Sequence, residues 1–319
     1  MRARLPRRPG PLGAGTEKER LLRLLERRAR TERRWAAASL WLGAGIVGAI
    51  AVLAVFAPLI TAHDPSYQDL LHTLERPSWS HPFGTDNLGR DILTRAIYAG
   101  RIDLTVGAIT TYAPLLIGVL LGLLAGYRGG WVDTVIMRAV DVVVAFPFIV
   151  LVIAVIAIVG PGLLGVYIGI TVVGWALYAR LTRAEVLVLK EQQYVLAAKS
   201  LGYSDLRILL RHVLPNVIRP NLVFSTLDIV LNIGVLASLS YLGLGAQPPS
   251  AEWGLMVFEG QTFLLTGWWV STLPGLVIVL AGVGFSLLGD GLADRLGQGR
   301  PGRAGENEGM ILGVAEEGL

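Results

Sequence analysis

The polar side chains inside otherwise apolar runs include Asp141, Asp228 and Asn232. A carboxylate in hydrocarbon is costly and is kept mainly where it handles an ion, a proton or a polar cargo. Asp228 and Asn232 lie one helical turn apart, so they can share a hydrogen bond and line a polar translocation path. Arg138 and Asp141, at i and i+3, can instead neutralise each other near a membrane surface. A second polar group lies in residues 61–101. Asp86, Asn87 and Asp91 offer cation ligands, but not at EF-hand spacing, and helix capping by Thr85 or Asp86 with pairing among Arg90, Asp91 and Arg95 accounts for them more simply. His63, His72 and His81 recur evenly there, a spacing that chance supplies more readily than a metal relay. The chain has no Cys, which excludes disulfides and thiolate metal sites, and we assign no metal site. It has no G-x-x-x-x-G-K-[ST] phosphate loop, no G-x-S-x-G and no H-E-x-x-H. It is therefore read as a non-enzyme that neither binds ATP in the usual way nor carries a catalytic residue.

The densest polar stretch between apolar runs is residues 180–220, RLTRAEVLVLKEQQYVLAAKSLGYSDLRILLRHVLPNVIRP, with seven Lys or Arg and three acids. Such a stretch belongs in water between two spans, where it can dock a soluble partner. Residues 182–201 hold neither Gly nor Pro and predict one helix. Gly202 ends it in left-handed geometry. Ser204 caps a second helix with Asp205 in its first turn. Leu206, Leu209, Leu210 and Val213 give that helix one apolar face, and Pro215 stops it.

The elements that position these residues are membrane spans. The chain is 53% hydrophobic and 16% charged, against about 25% charged in soluble domains, and its mean hydropathy is +0.57. Apolar runs occupy residues 35–60, 104–127, 131–159, 163–180, 221–245 and 269–289, and a bilayer core takes about 20 residues to cross. Gly118, Gly122 and Gly126 strip one face of the second run for close helix contact. Pro147 kinks the third, and Gly160-Pro161-Gly162 separates it from the fourth. Trp253, Trp268 and Trp269 predict an interfacial aromatic belt. The first run lacks a small-residue cleavage site, so it is kept as a span. Residues 1–34 carry twelve Lys or Arg against four Glu and read as a solvated tail that fixes orientation, with nucleic-acid binding set aside. With both termini cytoplasmic, only Arg76, Arg90, Arg95 and Arg101 of the 28 Lys and Arg fall outside, as the positive-inside rule requires. The expected organisation is an all-α membrane protein of six transmembrane helices. It comprises a basic cytoplasmic tail (1–34), a first span (35–60), an extracytoplasmic segment (61–101), a core transmembrane domain (102–292) with a cytoplasmic loop (181–219), and a cytoplasmic C-terminal tail (293–319).

AAKSLG followed by RHVLPN resembles the EAA loop of importer-type ABC transporter permeases. That pattern is Glu-Ala-Ala, three residues, Gly, nine residues, a usually aliphatic position, one residue and Leu-Pro. Ala197, Ala198, Gly202, Leu214 and Pro215 fall on it, Leu196 replaces the Glu, and His212 takes the aliphatic position. RHVLPN, HPFGTDNLGRDILTRAIYAGRIDL, GWVDTVIMRAVDVVVAFP and SYLGLGAQPPSAEWG are similar to the dipeptide/oligopeptide/nickel subfamily. The resemblance spans roughly residues 35–296. It implies the importer-type ABC permease fold in the lipid bilayer of a prokaryotic cell membrane. It also implies a second homologous permease subunit, two ABC ATPase subunits that hold ATP and Mg, and an extracytoplasmic substrate-binding protein delivering peptides or a nickel complex. In the family this loop enters a cleft of the ATPase and transmits its motion; Leu196 removes one salt bridge there and leaves the docking. The rival reading is a proton-coupled secondary carrier using Asp141 and Asp228, which needs no ATPase.

Overall fold

The computed structural model describes residues 35, 37–61 and 63–296. The tail 1–34 and the segment from 297 onward lie outside the described residues. Among the described residues the fold is all helical, with one isolated β-bridge between Thr85 and Asp91. Helix α1 (Ala37–Val55) is followed by the short α2 (Ala57–Ile60), then α3 (Ile92–Arg128), α4 (Gly130–Val144), α5 (Phe148–Val159) and α6 (Leu163–Leu189). Next come α7 (Gln193–Ser200), α8 (Asp205–Ile208), α9 (Leu214–Tyr241), α10 (Trp253–Gly260) and α11 (Trp269–Arg295). Five helical runs are long and apolar enough to cross a membrane: α1, α3, α6, the continuous Asp205–Tyr241 and α11. The pair α4–α5, bent by 92°, makes a sixth when counted as one span.

Close backbone approach fixes the directions of the long helices α1, α3, α6, α9 and α11. A Cβ on Gly118 would lie 2.5 Å from Trp175 O, one on Gly122 2.5 Å from Ala179 O, and one on Gly126 2.8 Å from Val186 Cβ. The glycine stripe thus packs α3 against α6, and because both numbers rise together the two helices are parallel. Helix α9 runs opposite, since Gly107 meets Ile233 while Thr182 on α6 bonds Asn221. Helix α1 opposes α11, with Gly43 against Leu288 and Gly284 against Ile46. The start of α1, the ends of α3, α6 and α11, and residues 190–215 therefore share one end of the bundle, here the proximal end. The 61–91 segment, the Gly160 turn and α10 share the distal end.

Several local expectations are corrected. Residues 182–201 form two helices: α6 continues the fourth span to Leu189, and Gln192 is extended (ψ 142°) before α7 starts. The break turns the chain so that Val195 and Ala198 pack onto the bundle's proximal core. Pro215 does not stop the second helix; it sits in the first turn of α9. The π-helical turn Leu209–Val213 immediately precedes it. That wider turn accommodates a residue with no amide hydrogen and a ring that crowds the preceding carbonyls. Helix α3 starts at Ile92, capped by the Asp91 carboxylate accepting from Thr94 N (2.7 Å), so neither Thr85 nor Asp86 is its cap. Pro147 does more than kink the third run, as the 92° bend shows. Trp253 and Trp269 are buried anchors rather than belt residues, and Trp268 alone of the three is exposed.

Candidate coupling surface and membrane polar cluster

At the proximal end the 190–215 segment is seated from below and bare above. Val195, Ala198, Ile208, Val213 and Val217 are buried against Leu123 of α3 and Val186 of α6, with Leu214 packed alongside. The turn between α7 and α8 is a Schellman motif. Gly202 has φ +78°, its N–H donates to Lys199 O (3.0 Å), and Tyr203 N–H donates to Ala198 O (3.2 Å). Ser204 occupies the N-cap position without a side-chain bond, while Asp205 accepts from Tyr127 OH (2.8 Å), tying α8 to the end of α3. Leu196, Leu201, Tyr203, Leu206 and Leu210 are exposed on the same segment, Leu201 by 74% and Leu206 by 66%. The expected inward face of α8 is thus divided: Val213 points in, whereas Leu206 and Leu210 point out. Ala197 and Pro215 are exposed as well. The structure brings the seven motif positions onto one segment, with Ala198 and Leu214 in its foundation and Leu196, Ala197, Gly202 and Pro215 on its surface. His212 lies between Tyr203, stacked at 6.2 Å, and Tyr194 at 6.5 Å, and its Nε2 is buried without a hydrogen-bond partner.

Deeper in the bundle, Asp228 and Asn232 do share a hydrogen bond (3.2 Å). Asp228 Oδ2 also accepts from Tyr178 OH on α6 (2.8 Å), and Asn232 Nδ2 donates to Thr111 Oγ1 (2.9 Å) and Thr110 O (3.2 Å) on α3. The cluster crosslinks three spans. Asp141 sits apart, paired with Arg180 (3.0 Å) rather than Arg138, with both side chains half exposed. Asp133 takes Arg183 through both oxygens.

The distal end is closed by charge pairs that local spacing does not show. Arg90 Nε donates to Asp86 Oδ2 (2.6 Å) and its Nη2 to Glu259 Oε2 (2.8 Å); Arg95 Nη2 donates to the same Glu259 oxygen (3.1 Å). Asp91 pairs with His81 (2.9 Å) instead of an arginine. His72 pairs with Asp69 (2.8 Å), and that hydrogen bond raises the imidazole and lowers the carboxyl. Among the described residues no group of three or more His, Asp or Glu is arranged to hold a metal ion. Sequence reasoning missed Glu259 as the partner of Arg90 and Arg95, and Asp103 and Glu252 as fully buried acids. The signal within reach was Asp103 itself, which falls inside α3 once Asp91 is taken as the helix cap.

Five or six helical runs long and apolar enough to cross a membrane, with a packed loop at one end, define a multi-pass helical membrane protein. Its fold matches that of a chain in the inward-facing MetNI methionine ABC transporter, with TM-score 0.52 and 19% identity over 64% of this chain and 97% of that one. Residues 118–300 match the family described as binding-protein-dependent transport system inner membrane component. The chain is 41% identical to the dipeptide transport system permease protein DppC of Alkalihalophilus pseudofirmus, over 79% of this chain and 83% of that protein. It is 43% identical to the glutathione transport system permease protein GsiD of Pectobacterium atrosepticum, over 76% and 81% respectively. The chain belongs to the binding-protein-dependent inner-membrane component family and is a permease subunit of an ABC importer.

Proposed function

We propose that this permease passes di- or oligopeptides, handed to it by an extracytoplasmic binding protein, across the cell membrane of a prokaryote. It does so with a second homologous permease subunit and two ABC ATPase subunits. The cargo rests on the relatives' printed roles in dipeptide and glutathione transport. The coupling role rests on one observation: Leu196, Leu201, Leu206 and Leu210 are exposed on a loop whose other face is firmly packed. Apolar side chains held rigidly in water are a docking surface awaiting a partner. ATP and Mg stay on the ATPases, which grip this loop and move it with nucleotide. The proximal end is cytoplasmic, consistent with the placement of all but four Lys and Arg. The half-buried Asp228 and the Asn232 beside it border the cargo path, with Asp141 at its proximal mouth. Reconstituted uptake tests this. Labelled dipeptide should enter proteoliposomes only when ATPases, ATP and binding protein are all present. Uptake driven by a proton gradient without ATP would overturn the assignment.

A further inference from the structure

Asp103 on α3 and Glu252 ahead of α10 are both fully buried, at 0% exposure. Glu252 caps α10, its two oxygens accepting from Gly254 N (2.8 Å) and Leu255 N (2.7 Å). Asp103 Oδ2 accepts from Trp253 N (3.2 Å), while its Oδ1 is buried with no partner. Both carboxyls therefore face the first turn of α10 and hold consecutive amides there, Asp103 that of Trp253 and Glu252 those of Gly254 and Leu255. We propose that Asp103 and Glu252 bind one proton between them, and that this buried proton site latches α10 onto α3 at the distal end.

Two carboxylates cannot both be ionised side by side in a dry site, and a hydrogen bond between two carboxyls needs a proton. Among the described residues no cation is placed to replace it. On α3, Arg95 is committed to Glu259 and Asp86, and Arg101 is exposed with its guanidinium near Val55 O. Helix α9 contributes only the neutral Ser240 hydroxyl. Glu259, on α10, is held by Arg90 and Arg95. The charged residues of α11, Asp290, Asp294 and Arg295, all lie at its proximal end, and α1 carries none over Ala37–Val55. Burial pushes the Glu252 carboxyl above its ordinary range, against the pull of its two amide donors. Trp253, fully buried with Nε1 donating to Ala96 O (2.8 Å), seals the pair from water.

The balance is simple. In the latched state a carboxylic O–H donates to a carboxylate; when α10 lifts away, both groups meet water, ionise, and one proton leaves. The latched state holds one more proton, so acid favours it and alkali releases it. The site would make distal opening proton-linked, whatever the cargo, so its failure and that of the peptide assignment are separable.

The test uses the full chain with its partner subunits in lipid nanodiscs. Hydrogen exchange at Gly254 and Leu255, corrected for intrinsic base catalysis, should show an opening constant that rises about tenfold per pH unit, the linkage of one proton. Infrared spectra at neutral pH should contain a protonated-carboxyl band that Asp103→Asn and Glu252→Gln each remove. A corrected opening constant independent of pH in the wild-type chain overturns the proposal even where neither variant folds, and so does a band that survives both substitutions.

Discussion

The two ends of this bundle are finished differently. At the distal end four charges from distant segments neutralise one another: Asp86, Arg90 and Arg95 before and within α3, and Glu259 on α10. The arginines are 3% and 1% exposed, so the pairs are part of the interior. At the proximal end Leu201, Leu206 and Leu210 stand exposed on a loop whose backbone is as well bonded as any helix end. The distal end pairs these four charges within the chain, while Leu71 and Trp79 stand exposed beside them and Asp103 Oδ1 is buried without a partner. The proximal end is ordered from within but leaves its outer apolar face for another surface to cover. In the proposed coupling role the packed inner face of the proximal loop is the seat and its exposed leucines are the grip.

The comparison breaks hardest at the distal charges. Arg95→Ala leaves Asp86 and Glu259 short of a buried partner, which costs about 3–5 kcal/mol. Its thermal midpoint in detergent should fall far more than that of any loop variant. A smaller loss is expected at the shared seam of α3 and α6. Gly122→Val forces a Cβ to 2.5 Å from Ala179 O, a clash of about 1–3 kcal/mol or more. By contrast Gly45→Ala, with nothing within 4 Å of its Cβ, should leave the midpoint unchanged.

At the proximal end the stability effects shrink while the functional ones grow. Gly202→Val places a β-branched residue at φ +78°, a local cost of about 1–2 kcal/mol. It should uncouple ATP hydrolysis from uptake in proteoliposomes without unfolding the bundle. Normal uptake by that variant would remove the lever from the account. The smallest effect belongs to His72, held above the usual histidine value by the Asp69 carboxylate. Its folded pKa is raised, so the contact contributes at acid pH and fades as pH rises through that value. Asp69→Asn should move the His72 titration back down, read by ring-proton NMR.

The turn at Gly202 and the glycine face of α3 were legible because their signals are local. Gly202 punctuates α7 in the sequence as it does in the fold, and the four-residue repeat of Gly118, Gly122 and Gly126 marks a contact face before its partner is known. What could not be read depends on residues far apart in the chain. Glu259 pairs with Arg90 and Arg95 across more than 160 positions, and no periodicity encodes that. Helix propensity favoured an unbroken helix over residues 182–201, but burial of Val195 and Ala198 required a turn at Lys190–Gln192, and tertiary packing prevailed. The π turn before Pro215 was hidden for a related reason: a proline read alone signals a stop, and only the helix around it shows the ring accommodated.

Because the chain has no native thiol, single cysteines can interrogate each end against the same silent background. The decisive comparison is Leu206→Cys against Leu71→Cys, both positions being exposed, at 66% and 91%. Maleimide labelling is followed in nanodiscs before and after the ATPase subunits are added. ATPase addition should protect the Leu206→Cys thiol and leave the Leu71→Cys thiol reactive. Equal labelling of both thiols, with the ATPases demonstrably bound, would contradict the coupling role.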